Sequence, residues 1–161
     1  MHPCADAEAL VFAQSEPAGI RTAALVRDAA ASAEGAIIEW RRLFHQHPEL
    51  SGRESHTQEM LCGELDRLGV EYRRLDNNGI IATIRGEAPG AYDAAGVPVR
   101  RVALRADIDA LPVTEDTGLP FASENEGVMH ACGHDAHMAM MLGAVRILRD
   151  ETRQSSLRGL Y

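Results

Sequence analysis

From about Asp135 to Arg149 the chain carries two apolar stripes at once. Met138, Met141, Leu142, Val145 and Leu148 form one, and Ala136, Met140, Ala144 and Ile147 form the other. A helix that is apolar on most of its sides needs partners on more than one face. It therefore calls for a layered fold and excludes an isolated surface helix. Upstream segments can supply the layers. The Ala-rich stretch from Pro17 to about Glu34 has weak anchors in Ile20, Leu25 and Val26. From about Ala36 to Phe44, Ile37, Trp40, Arg41 and Phe44 recur at helical intervals until Pro48 stops the run. A further helix is expected from about Glu54 to Leu68, striped by Met60, Leu61, Leu65 and Leu68 and ended by Gly69. Residues 1 to about 16 show no clear period.

The period then changes. Val70 to Leu75 and the GIIATIR stretch from Gly79 to Arg85 read as strands. Gly86 to Val99 reads as a connecting loop, and Arg101 to Asp109 as the strongest strand of the chain. Strand geometry would put Val102, Leu104, Ala106 and Ile108 on one face and Ala103, Arg105, Asp107 and Asp109 on the other. Helices, then strands, then a buried helix predict a layered α/β domain. Such a sheet would continue with a further strand, yet the polar tail Asp150 to Tyr161 offers none, so the chain is expected to stop in mid-fold. An apolar helix short of neighbours would leave patches that favour association, and poor solubility is the expected result.

Charge narrows the function. Sixteen basic against 24 acidic residues give a net of -8, which argues against nucleic acid or an anionic membrane surface as partner. No apolar run approaches the ~20 residues of a membrane span. The N-terminus lacks a basic leader, and Asp6 and Glu8 flank its short apolar stretch, so a secretory signal is not expected. Three cysteines, Cys4, Cys62 and Cys132, are too few for a disulfide framework and fit a reducing cytoplasm.

The densest chemistry lies in HACGHDAH, His130 to His137. Cys132 and His134 are two apart just before a helix, and a turn can aim both at one point. Thiolate and imidazole together suit zinc and similar metals. The helix N-terminus favours the Cys132 thiolate, Asp135 can cap that helix, and His137 could orient a metal ligand. A buried cysteine beside surface histidines explains the same residues, and so does a Cys132 nucleophile with a His134 base. A second cluster, Asp107 and Asp109, sits at the carboxyl end of the strongest strand, where open α/β sheets bind ligands. Two such close carboxylates favour a nearby cation, although a turn cap and a solvated side chain account for them equally. His45, His47 and Glu49 need only a helix C-terminal dipole to explain the histidines. Glu115 and Asp116 are expected to be solvated. No Gly-x-Ser-x-Gly elbow, Walker loop or Gly-x-Gly-x-x-Gly turn is present.

RRLFHQHPEL, LRADIDALPVTEDTGLPFAS and GVMHACGHDAHMAMMLGA occur in that order. Together they resemble the M20 metallopeptidase family, in particular its amidohydrolase branch of N-acyl-amino-acid amidohydrolases, hippurate hydrolases and auxin-conjugate hydrolases. The likeness runs from about Ile37 to Leu148. It implies the N-terminal part of a layered α/β metallopeptidase catalytic domain with a mixed sheet. It divides the chain into an N-terminal extension over 1–35, a partial catalytic domain over 36–149 and a divergent tail over 150–161. It also implies two divalent ions, zinc or manganese, with Cys132 and His134 as ligands. The resemblance implies Asp109 as the supporting catalytic carboxylate. Asp107 stands where other branches carry a metal-binding His, and His137 is a possible supporting residue.

The implied reaction is hydrolysis of the amide bond of an N-acyl amino acid. Full-length members often dimerise through a domain not seen here. The family's pair of glutamates, one of them the general base, and its later His ligands are also not seen. The chain is expected to be truncated and inactive alone. A non-catalytic metal-binding fragment or interaction module is the alternative, with a cysteine hydrolase as a further one.

Overall fold

A computed structural model describes residues 18–86 and 89–153. Three helices and one hairpin make up its regular structure: α1 (Ala18–Gln46), α2 (Ser55–Leu68), β1 (Glu71–Arg74), β2 (Ile80–Thr83) and α3 (His134–Arg153). The two helical stretches expected before Pro48 are one helix. Gly35 costs roughly 1 kcal/mol against alanine, and it is flanked by good helix formers, so α1 runs through it without a break.

The core forms where α1, α2 and α3 meet. Trp40 and Phe44 of α1, Leu61 and Leu65 of α2, and Met138, Ala139 and Leu142 of α3 are buried together with Val70. Their spacings of three and four residues put each set on one helix face. Of the expected first stripe of α3, Met138 and Leu142 are buried and Met141, Val145 and Leu148 half-buried, while Met140 of the second stripe lies exposed. Full burial of side chains of this size is worth about 1.5–3 kcal/mol each, so this cluster is what fixes α3 against α1. Gly143 permits the approach, since an added Cβ would stand 2.6 Å from Ile37 Cδ1 and 2.9 Å from its Cγ1.

The carboxylate of Glu49 caps α2 from outside the helix. It accepts from Thr57 N–H at 2.7 Å, Thr57 Oγ1 at 2.8 Å and His56 N–H at 3.2 Å. The two backbone N–H groups are among those that the first turn leaves without helical partners. At the other end Gly69 adopts φ 64, and Val70 N–H reaches Leu65 C=O at 3.0 Å. This is the left-handed stop that glycine makes without a Cβ penalty. The chain turns into β1, which pairs antiparallel with β2 from Glu71↔Thr83 to Arg74↔Ile80. Gln58 of α2 pins the hairpin turn, donating to the carbonyls of Leu75 and Gly79.

The strand expected over 101–109 does not form. An extended segment becomes a strand only when a neighbour takes its backbone N–H and C=O groups. Among the described residues none flanks it, and Val102 is 90% exposed. The sheet is therefore a two-stranded antiparallel pair, with one isolated parallel bridge between Leu50 and Ala110. The tail beyond residue 153 lies outside the described residues, as do residues 1–17. No described helix is long and apolar enough to cross a membrane.

Candidate active site

The segment from Asp109 to His134 folds back on the C-terminal end of α1. Ala110 N–H donates to Glu49 C=O at 2.7 Å, Glu124 N–H to Gln46 C=O at 2.8 Å, and Asn125 Nδ2 to Pro48 C=O at 2.8 Å. Leu111 and Met129 exchange both backbone bonds, closing the loop on itself. These bonds carry the start of α3 to the end of α1 and place two groups of polar side chains side by side.

The first group holds the expected ligand residues. His134 Nδ1 lies 3.0 Å from both the carboxylate Oδ1 and the backbone carbonyl of Asp109. Both partners only accept, so Nδ1 carries a proton, and Nε2 is the nitrogen that points away from them. His137, one turn on and exposed, stacks on the His134 ring at 5.6 Å. Asp107 is bound by Arg105 at 2.8 Å. That bond, with the Arg105 charge, holds its carboxyl below the usual range, and His134 and His137 add smaller attractions. Cys132 is a free, exposed thiol two residues before α3. Gly133, at φ 86, makes the turn between thiol and imidazole.

The second group was not expected from the sequence. His45, taken as a helix-end histidine, is buried and bonded at both ring nitrogens. Nδ1 lies 2.6 Å from Asp135 Oδ2, and Nε2 lies 3.1 Å from Glu115 Oε1. Glu115, expected to be solvated, has a side chain only 4% exposed. Burial pushes its carboxyl up. Bonds from Thr117, from Ser123 N–H and from His45 outweigh that, with the His45 charge, and bring it to about 2. Asp135 does act at the start of α3, its Oδ1 accepting from Ala136 N–H. Its Oδ2 also takes Arg41 Nε at 3.0 Å. Phe121 closes the group, edge-on to His45 and beneath the guanidinium groups of Arg41 and Arg42. Between the two groups lies His130, buried, with neither ring nitrogen hydrogen-bonded. Burial is the main cause of its lowered basicity.

Among the described residues no three His, Cys, Asp or Glu side chains converge as a metal-holding group. Catalytic zinc generally takes three protein ligands. Cys132 and His134 are suitable in kind but make up only part of such a set.

Comparison with known proteins gives the arrangement its context. Residues 103–159 match the model of Peptidase family M20/M25/M40. The match passes Arg149, where the likeness was expected to end, and continues for another ten residues. The chain is 45% identical over 121 residues to an N-acyl-L-amino acid amidohydrolase of Geobacillus stearothermophilus, covering 73% of this chain and 30% of that protein. It is 44% identical over 127 residues to an N-acetyl-L-cysteine deacetylase of Bacillus subtilis, covering 78% and 28%. The crystal structure of the Bacillus subtilis YXEP protein, a dinuclear metal binding peptidase from the M20 family, superposes with a TM-score of 0.65. Identity there is 38%, over 75% of this chain and 32% of that one. The chain thus spans about 30% of the length of the curated relatives it matches.

Proposed function

We propose that this chain is part of a metal-dependent hydrolase that cleaves the amide bond of N-acyl amino acids. Cys132 and His134 are its contribution to a divalent centre of zinc or manganese, two ions in the complete site. The observation that carries the reading is the Asp109–His134 contact. A carboxylate that takes the Nδ1 proton of an imidazole fixes the ring and leaves Nε2 ready to donate to a cation, as carboxylates behind metal-binding histidines do. Asp109 is the catalytic-site carboxylate of this set. Asp107 and His137 flank it and add negative charge and ring stacking around His134. A bound ion would supply Lewis acidity at the scissile carbonyl. The substrate is a small N-acyl amino acid, and the relatives' acyl-amino-acid activities support that class. The domain division at 36 and 149, dimerisation through another domain and a cytoplasmic location belong to the same reading.

The 161-residue chain alone has little or no hydrolase activity on this reading, because two donors do not close a catalytic site. The test is a cobalt titration of the purified chain, followed by an assay on hippurate and N-acetylcysteine with added zinc or manganese. A thiolate-to-cobalt absorption band that disappears in Cys132→Ser and weakens in His134→Ala supports the ligand assignment. A wild-type chain with no such band refutes it. Robust turnover refutes inactivity.

A further inference from the structure

We propose that His45 is a positioning residue of the site, an imidazole that donates from both ring nitrogens and thereby clamps the start of α3 to the loop carrying Glu115. Its importance for hydrolysis rests on the function proposed above, whereas the clamp itself does not.

The argument starts from what each atom can do. An ionised carboxylate only accepts, and an imidazole nitrogen donates only when it carries hydrogen. Both nitrogens of His45 face carboxylate oxygens, at 2.6 Å from Asp135 and 3.1 Å from Glu115. Neither carboxyl is placed to donate back. Asp135 already accepts from Ala136 N–H and from Arg41, and Glu115 accepts from Thr117 Oγ1 and from Ser123 N–H. Donation must therefore come from the ring on both sides. The charges agree, because two buried carboxylates against the single, partly exposed Arg41 would leave an uncompensated negative charge. A second cation at His45 balances the group. Arg41 of α1 pairs with Asp135 and lies over Phe121, Phe121 meets the ring edge-on, and His130 lies within electrostatic reach of it.

The mechanical consequence follows from the positions of the bonded residues. Asp135 is the next residue after His134, and Glu115 lies in the loop that leads from Asp109 to Cys132. Holding both carboxylates fixes the two ends of the stretch that carries the thiol and the imidazole. Charge-assisted bonds of this kind are about twice as strong as neutral ones.

Ring 15N shifts of His45 in the histidine-labelled 161-residue chain test the first half directly. Two protonated nitrogens in neutral buffer are expected, and one protonated with one bare nitrogen overturns the proposal. Amide hydrogen exchange in His45→Gln, which can donate on one side only, tests the second half. Exchange at residues 115–123 and 133–137 should quicken at least tenfold while amides of Leu61 and Leu65 stay unchanged. Uniform quickening, or none, overturns the positioning role. The ring measurement on the unmodified chain stands even where the variant does not fold. Neither readout depends on hydrolysis, so failure of the clamp and failure of the proposed activity are separable.

Discussion

His45 Nδ1 and Asp135 Oδ2 lie 2.6 Å apart, although ninety positions of chain separate them. Both side chains are almost wholly buried. Removing one partner from such a pair leaves the other charge buried without compensation, which typically costs 3–5 kcal/mol. Asp135→Ala should therefore lower unfolding free energy by about 3–5 kcal/mol in urea titrations. A loss under about 1 kcal/mol, the range of exposed ion pairs, would show that the pair is solvated.

Glu115 gives the acid response a defined sign. Its folded carboxyl titrates at about 2, below the 4.5 it has when free. A depressed carboxylate contributes stability that is fully present above its unfolded value and is lost as pH falls toward the folded one. The stability gap between the wild-type chain and Glu115→Gln should be constant from neutral pH down to about 5. It should then close between 4.5 and about 2. Urea midpoints at several pH values across that window measure it.

Glu49 caps α2 with three donors on one carboxylate. Loss of a helix N-terminal cap costs about 0.5–2 kcal/mol. Glu49→Ala should fall at the upper end of that range, and Glu49→Gln should recover part of it, because an amide oxygen still accepts. Denaturant unfolding of both variants provides the comparison.

Gly143 balances two effects. Alanine would gain up to ~1 kcal/mol in helix propensity. The new Cβ would press on Ile37 Cδ1 and Cγ1, and overpacking of this kind costs about 1–3 kcal/mol. Gly143→Ala is expected to be neutral to ~2 kcal/mol destabilising. Combining it with Ile37→Val, which removes the nearest atom, should restore stability in a double-mutant cycle.

Local chemistry was legible in the sequence and distant pairing was not. The stripe Met138–Leu142–Val145 and the pair Trp40–Phe44 announced their faces because helical period is local, and Gly69 announced the end of α2 for the same reason. The alternation over 101–109 promised a strand, but a ladder depends on a neighbour that the pattern itself does not encode. Asp109 and His134 were singled out by residue type, and the structure sets them 3.0 Å apart. His45 and Glu115 were read as a helix-end histidine and a solvated acid. Each taken alone is consistent with exposure, and only the fold-back of 109–134 onto α1 buries them as partners. The Glu49 cap was hidden likewise, since the acceptor lies outside the helix whose amides it serves.

The clamp sets a schedule for the newborn polypeptide. Its bonds span seventy and ninety positions, and long loops must be closed before such contacts return anything. During synthesis the histidine at 45 leaves the ribosome long before either of its acids. Until residue 115 has emerged that imidazole has neither partner, and until residue 135 has emerged it lacks the second. A chain arrested before α3 lacks Asp135, and with it the shorter of the two bonds to His45.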